Sequence, residues 1–105
     1  EGVFFSEAVA NNPLCSPYRA MLMTGRYSLS TGVVENCNSQ RTALGNYLKK
    51  DEICFSDVLV ENGYSAGYVG KWHLDGPEPT PPDIKRVWDT WCHPNRRQGF
   101  SFWYA

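Results

Sequence analysis

Apolar residues fall into short runs separated by polar and turn-forming stretches, and these runs predict the secondary structure. The opening run, GVFFSEAVA, is bulky and β-favouring and stops at the turn signal NNP, so we expect a strand there. We expect a helix after Cys15, because Pro17 suits a first helical turn and YRAMLMT contains good helix formers. Gly25 is well placed to end that helix.

The second half of the chain alternates between helical and extended patterns. In FSDVLVENG, Ser56 can cap the start of a helix, Asp57 suits its positive N-terminal dipole and Gly63 suits its end. The run YSAGYVGKW that follows predicts a strand. The order helix, glycine, strand is typical of an α/β fold.

The remaining stretches give weaker signals. STGVVENCNSQRT is polar and irregular and predicts a loop, whereas ALGNYLKK is a weak helical pattern. LDGPEPTPPD is rich in proline and predicts an exposed connection, and IKRVWDTW predicts a short helix.

Length and charge limit the class of protein. With 105 residues, 42% of them hydrophobic, we expect one modest domain over residues 1–105. The sequence opens inside a predicted strand and closes on the aromatic run FSFWYA, so we expect a portion of a larger protein. A net charge of −1 argues against nucleic-acid binding, and no apolar run approaches the roughly 20 residues that a membrane span needs.

The four cysteines are widely scattered. The absence of a CxxC pair argues against a zinc site. Disulfides would allow three connectivities, and the alternative for Cys37, Cys54 and Cys92 is that they are small buried hydrophobes.

Cys15 has a different setting, because it stands at the predicted start of a helix with Arg19 four residues on. Backbone N–H groups and the helix dipole favour negative charge at such a position. An arginine side chain leaning toward the N-terminus can reach back over the cysteine, which predicts a pocket for a tetrahedral oxyanion. The alternative is a capped helix with a buried cysteine and a surface arginine.

A second cluster lies in GYVGKWHLD. On a strand, Lys71 and His73 would share one face, with Trp72 pointing the opposite way toward a core. They would lie at the carboxyl end of the strand, where ligands of α/β sheets bind. The alternative is an exposed lysine and a packed histidine.

The two clusters together resemble the sulfatase family. CSPYRAMLMTGR is similar to the family's first signature, Cys-x-Pro-x-Arg followed by Thr-Gly-Arg, and GYVGKWHL is similar to its second, Gly-Lys-Trp-His-Leu. EGVFFSEAVANNPLC and RRQGFSFWYA also resemble family sequence. The resemblance implies a partial N-terminal catalytic domain over residues 1–105. Its fold would be an alkaline-phosphatase-like α/β fold with a central mixed sheet flanked by helices, truncated at both ends.

The resemblance also implies a mechanism. Cys15 would be oxidised by a formylglycine-generating enzyme, which recognises Pro17 and Arg19, to the aldehyde Cα-formylglycine. One hydroxyl of the hydrated aldehyde would attack sulfur and expel the substrate alcohol. The other would lose its proton and drive out sulfate. Arg19 would hold the formylglycine oxygen, Lys71 would bind sulfate oxygens, and His73 would assist in removing the proton.

The family implies a divalent cation, usually calcium, at the formylglycine oxygen of residue 15, and a periplasmic, secreted or lysosomal location. These 105 residues contain no counterparts of the family's paired aspartates or of its later Asp/Asn pair. They also lack its further histidine and lysine. Nothing in the motifs assigns Asp75 or Glu78 as a ligand. The alternatives are a phosphodiester or phosphonate hydrolase of the same superfamily, or a non-catalytic remnant. We expect the 105 residues alone to be inactive.

Overall fold

The computed structural model describes all residues from 1 to 105, and its longest helix is the one predicted at Cys15. Helix α1 spans Cys15–Thr24, with the buried Pro17 in its first turn. Gly25 ends it in a left-handed conformation, φ 67°, and donates its N–H to the carbonyl oxygen of Met21 at 2.8 Å. Glycine adopts this conformation without the clash that a Cβ would cause, so this prediction is confirmed.

Two short helices overlap residues 30–42, where a loop was expected. Helix α2 spans Ser28–Thr31 and α3 spans Ser39–Thr42. The side chain of Asn38 caps α3 by accepting hydrogen bonds from the N–H groups of Gln40 and Arg41. The expected helix in ALGNYLKK is absent, and this run forms turns instead. Gly45 there has a φ of 77°, which a continuous helix does not allow.

Helix α4 spans Phe55–Glu61, as predicted, but its cap differs from the expected one. Cys54 is the N-cap, and its N–H donates to Asp57 Oδ2 at 2.9 Å. Ser56 therefore does not cap the helix: its side chain is buried and its hydroxyl has no hydrogen-bond partner. Gly63, with φ 84°, follows the end of the helix, where it was expected.

The sheet consists of two parallel strands, β1 at Gly67–Val69 and β2 at Phe102–Tyr104. Gly67 pairs with Phe102 and Val69 with Tyr104. With the helices, this pair confirms the expected α/β class, but the central mixed sheet is represented by two parallel strands only. A 3-10 turn at Pro94–Arg96 precedes β2.

Two expected elements are absent. The opening run is exposed and forms no strand, because no neighbouring strand pairs with it. Residues 84–91 form no helix. The N–H of Val87 instead donates to Ser39 Oγ at 3.0 Å, and its carbonyl oxygen accepts from the N–H of Ser39 at 2.8 Å. These groups are therefore not available for helical hydrogen bonds.

The core lies between α1, α4, the strands and the segment after β1. Ten apolar side chains are buried in one cluster: Ala20, Met23, Val33, Cys37, Leu48, Cys54, Trp72, Leu74, Cys92 and Phe100. The proline-rich stretch is less exposed than predicted, since Leu74, Asp75 and Pro77 are buried. Thr42 anchors this stretch by donating its hydroxyl to the carbonyl oxygen of Pro77 at 2.7 Å.

Candidate active site

Ser16, the residue after Cys15, joins the two motif segments. Its hydroxyl donates to the carbonyl oxygen of His73 at 2.7 Å and accepts from the N–H of Cys37 at 3.0 Å. Its own N–H, one of the unpaired donors of the first helical turn, donates to Asn36 Oδ1 at 3.1 Å. Ser16 is fully buried. The start of α1 is therefore fixed against the segment that follows β1.

Arg19 makes a second connection between the same segments. Its Nη1 donates to the carbonyl oxygen of Lys71 and lies 3.4 Å from the hydroxyl of Tyr68, which also donates to that carbonyl. The guanidinium was expected to reach over Cys15; its polar contacts are instead with Tyr68 in β1 and with Lys71 just after it. The Nε atom is buried and has no hydrogen-bond partner. Arg19 thus keeps donor capacity beyond its bonds within the chain.

Cys15 is the exposed cysteine among four free thiols. It is the first residue of α1 and lines a cavity of about 320 Å³ together with Tyr18 and Arg19. Cys15 and Arg19 are therefore brought to one cavity, as the sequence predicted. The alternative of a buried cysteine at this position is wrong.

The other three cysteines differ from Cys15 in being buried. Cys37, Cys54 and Cys92 are buried, as expected for small hydrophobes, and none forms a disulfide. Burial raises the pKa of Cys37 from 9.0 to about 11 and that of Cys54 to about 12. Burial, with the nearby negative charge of Asp75, raises the pKa of Cys92 to about 12. Neutral thiols of this kind are poor nucleophiles.

Lys71 and His73 do not share a strand face, so that prediction is wrong. Strand β1 ends at Val69. Beyond it the backbone has a positive φ at Gly70 (123°) and again at His73 (53°). The alternation of faces is lost because this backbone is no longer extended. Lys71 is exposed, whereas His73 is buried beside the buried Trp72.

The ring of His73 has one bonded and one free nitrogen. Nε2 lies 3.0 Å from the carbonyl oxygen of Cys37, and Nδ1 is buried without a partner. A carbonyl oxygen only accepts hydrogen bonds, so in this geometry Nε2 is the donor and Nδ1 is the ring nitrogen without a partner.

Three of the four predicted site residues line cavities. Cys15 and Arg19 line the first, and Lys71 lines a second, of about 460 Å³. His73 lines neither. The contact between Arg19 and the Lys71 carbonyl joins a residue of one cavity to a residue of the other.

The side chains of this chain form no cluster of His, Cys, Asp and Glu that is typical of a metal site. Asp75 accepts a hydrogen bond from Trp72 Nε1 at 3.1 Å and forms an ion pair with Arg96, so its oxygens are engaged within the chain. No three His, Cys, Asp or Glu side chains come close enough to hold a metal ion.

None of the helices is long and apolar enough to cross a membrane.

Sequence reasoning missed Ser16, Tyr68 and Asn36. A serine directly beside the candidate nucleophile is a signal in the sequence, but the partners of Ser16 lie 21 and 57 residues away. Those pairings become visible only in the folded chain.

Comparison with known proteins identifies relatives along the whole chain. The family model described as Sulfatase matches residues 1–104. The chain is 38% identical to an endo-4-O-sulfatase from Bacteroides thetaiotaomicron, with all of this chain and 22% of the relative aligned. It is 37% identical to an ulvan-active sulfatase from Formosa agariphila, with all of this chain and 17% of the relative aligned.

A solved structure has the same fold. The crystal structure of yidJ from Bacteroides fragilis is 44% identical, with a TM-score of 0.87 over 95% of this chain and 23% of the solved one. The chain thus spans about a fifth of the length of the proteins it matches.

Proposed function

The chain belongs to the sulfatase family, and on that premise we propose that the whole protein hydrolyses sulfuric esters, with Cys15, Arg19, Lys71 and His73 at its reaction centre. The single observation that carries the assignment of these residues is the pair of contacts, Ser16 to His73 and Arg19 to Lys71, that draws both motifs to the start of α1.

Cys15 is the residue proposed to be converted to Cα-formylglycine. It is free, exposed and followed by Pro17 and Arg19, which fits recognition by a formylglycine-generating enzyme. The modified side chain supplies a geminal-diol hydroxyl as the nucleophile toward sulfur. The cavity beside it gives a sulfate ester access to that position.

Arg19, in this proposal, stabilises negative charge at residue 15. Its Nε is a buried donor without a partner, and leaving such a donor unpaired costs about 1–3 kcal/mol. An anionic oxygen in the adjoining cavity would offset that cost. Because Nη1 is held by the Lys71 carbonyl, the guanidinium is oriented before substrate arrives.

Lys71 and His73 have different roles in the proposed mechanism. Lys71 is exposed and supplies a mobile positive charge for sulfate oxygens. His73 is held in one orientation by the Cys37 carbonyl, and its Nδ1 handles the proton that must leave residue 15 before sulfate is released.

The proposal includes a divalent cation, with calcium the expected ion. The modified residue 15 would contribute one oxygen ligand. The remaining ligands would come from outside these 105 residues, in keeping with the engagement of Asp75 by Trp72 and Arg96.

The name of one relative, an ulvan-active sulfatase, supports a sulfated carbohydrate as substrate, whereas another similar protein is called a steryl-sulfatase. For this chain we propose the first of these classes. A periplasmic, secreted or lysosomal location, which the resemblance to the family implies, is part of the proposal.

The test is made on the whole protein, coproduced with a formylglycine-generating enzyme. Mass spectrometry of the Cys15 peptide should show the aldehyde, and the protein should hydrolyse a chromogenic aryl sulfate. Cys15→Ala should abolish turnover, whereas Cys92→Ala, which removes a buried thiol, should retain it. Full activity with an unmodified Cys15 thiol would refute the proposal.

Parallel assays with aryl phosphate and phosphonate esters separate the rival hydrolases. A preference for phosphate or phosphonate esters would replace the sulfatase assignment. An unmodified thiol with no turnover of any ester, despite coproduction of the modifying enzyme, would indicate a non-catalytic remnant.

A further inference from the structure

Residues 34–38, which we call the bridging segment, connect the start of α1 to the ring of His73. Within this segment, Asn36 Oδ1 accepts the N–H of Ser16 at 3.1 Å. The N–H of Cys37 donates to Ser16 Oγ at 3.0 Å, and the Cys37 carbonyl oxygen lies 3.0 Å from His73 Nε2. The place of the imidazole relative to the first turn of α1 therefore depends on where this segment lies.

The bridging segment belongs to no helix or strand, so a regular backbone hydrogen-bond pattern does not fix it. Asn46 bonds it instead, from 11 and 12 positions further along the chain. Its Oδ1 accepts the N–H groups of Val34 and Glu35, both at 3.0 Å, and its Nδ2 donates to the Glu35 carbonyl oxygen at 2.8 Å. One amide side chain thus bonds three backbone groups, using both its acceptor and its donor.

Asn46 is 5% exposed, and a buried amide is stable only when its polar atoms are bonded. This burial arises within the 105 residues, so it does not depend on which other parts of the protein cover the surface. Two residues further on, the N–H of the buried Leu48 donates to the Leu74 carbonyl oxygen at 2.9 Å. Because Leu74 directly follows His73, Asn46 is linked to His73 along two routes.

The other end of the bridging segment is held by Asn38, which is fully buried. Its Oδ1 caps α3, and its Nδ2 donates to the carbonyl oxygen of Asn36 at 3.0 Å. These bonds reach residues at most three positions away, whereas Asn46 ties the segment to a different part of the chain. Asn46 is therefore the side chain that fixes the segment relative to the core.

We infer that Asn46 is a positioning residue for the sulfate-ester hydrolysis proposed above. Through the bridging segment it holds the imidazole of His73 in place relative to residue 15, so its loss lowers turnover by displacing the group that handles the proton. A displacement of about 1 Å at such a group can lower a rate about 100-fold. The inference rests on the proposed function for the reaction, but the hold on the His73 ring can be measured without turnover.

Three variants of the whole protein are compared. Asn46→Ala removes all three bonds to the bridging segment. Asn46→Asp keeps an oxygen that accepts the two N–H groups and loses the donor to Glu35, so it should have a smaller effect of the same kind. Asp57→Ala is the matched control, because Asp57 Oδ2 also accepts a backbone N–H, that of Cys54, but in α4.

The first experiment measures the hydrogen bond between His73 Nε2 and the Cys37 carbonyl by NMR of protein with isotopically labelled histidine. The Nε2–H signal is assigned by its disappearance in His73→Asn, and it should exchange slowly with solvent in the wild type and in Asp57→Ala. Asn46→Ala should accelerate this exchange about tenfold or more, with Asn46→Asp in between. Exchange in Asn46→Ala at the wild-type rate, or fast exchange already in the wild type, would overturn the inference.

The second experiment compares kcat for an aryl sulfate at a temperature at which every variant is folded, with rates corrected for the fraction of residue 15 converted to formylglycine. Asn46→Ala should lower kcat about 10- to 100-fold, while inhibition by free sulfate changes little. Asp57→Ala should retain kcat, because a bond that serves stability alone does not alter the rate of folded molecules. A wild-type kcat in Asn46→Ala, or an equal loss in Asp57→Ala, would contradict a positioning role.

A double-mutant cycle shows whether Asn46 acts through His73. In the His73→Asn background, Asn46→Ala should lower kcat by no more than about twofold further, because the group that it positions is already gone. The full single-variant loss in that background would show that Asn46 acts elsewhere and would overturn the inference. A wild-type protein that hydrolyses no sulfate ester would refute the proposed function, and the exchange measurement alone would then decide whether Asn46 holds the His73 ring.

Discussion

The hydroxyl of Ser16 donates a hydrogen bond to the carbonyl oxygen of His73 at 2.7 Å, across 57 residues of sequence. The same hydroxyl accepts the N–H of Cys37, and that residue's carbonyl oxygen holds His73 Nε2. The backbone and the ring of His73 are therefore both positioned by one small network at the start of α1.

Replacing Ser16 tests this network. Ser16→Ala leaves the buried N–H of Cys37 without an acceptor and the His73 carbonyl without a donor, so the free energy of unfolding should fall by about 1–3 kcal/mol. The loss is measured by urea denaturation of the whole protein. Ser30→Ala, an exposed serine in α2, is the control and should change stability by no more than about 0.5 kcal/mol. Equal stability of both variants would mean that the network contributes little.

Lys71 supplies charge in our proposal, so its removal should weaken sulfate as a ligand. Lys71→Ala should raise the inhibition constant of free sulfate and lower turnover, by about tenfold or more if one charge-assisted contact is lost. Inhibition of aryl sulfate hydrolysis by sulfate gives the first quantity. Lys50→Ala removes another exposed lysine and should leave both unchanged. Unaltered sulfate inhibition in Lys71→Ala would contradict the assignment.

His73 handles a proton in our proposal, so its loss should affect kcat more than binding. His73→Asn is the preferred variant, because asparagine tolerates the positive φ of 53° at this position. Turnover should fall about 10²- to 10⁴-fold, while inhibition by free sulfate changes little. A near-wild-type kcat in His73→Asn would exclude the role.

Local signals explain why α1 was predicted correctly and the region around His73 was not. Pro17 and Gly25 act within their own helix, so their effect can be read from neighbouring residues. The turn at His73 depends on a positive φ in a residue other than glycine, which sequence gives no reason to expect. It is stabilised by Ser16 and Cys37, both distant in sequence.

The strands show the same limit. YSAGYVGKW was a sound strand pattern, but only Gly67–Val69 pairs, because β2 offers three partners. The opening run has equally strong β-favouring residues and no partner at all. A strand forms only where another strand can pair with it, and the sequence of one segment does not specify which strand that will be.

The buried thiols predict a loss of stability at alkaline pH. The pKa of Cys54 is raised by burial from 9.0 to about 12, so the folded state holds this proton more tightly than the unfolded state. The stabilisation is fully present below pH 9 and is lost progressively as the pH rises toward 12. Urea denaturation at increasing pH should show this fall, and Cys54→Ala should reduce its slope. A slope that Cys54→Ala leaves unaltered would contradict the prediction.

The 105-residue polypeptide, produced by itself, should not hydrolyse sulfate esters or gain stability from calcium. It assembles no cluster of metal ligands, and it exposes apolar side chains such as Phe4, Phe5 and Leu29. Exposed apolar surface of this extent favours aggregation. Thermal unfolding with and without calcium, and an aryl sulfate assay, check the prediction. A calcium-dependent rise in Tm together with turnover would show that a complete site exists within the chain.

The ion pair between Asp75 and Arg96 has an electrostatic consequence for the reaction centre. Asp75 lies two residues after His73, and an unpaired carboxylate there would repel an approaching sulfate dianion or monoester. Arg96 neutralises that carboxylate and is itself bonded to the Leu48 carbonyl. Among the side chains that line the two cavities, three cations, Arg19, Lys71 and Arg97, then face one carboxylate, that of Asp89. In the proposed mechanism, Arg96 serves as the counterion of Asp75 and leaves those cations available to an anion.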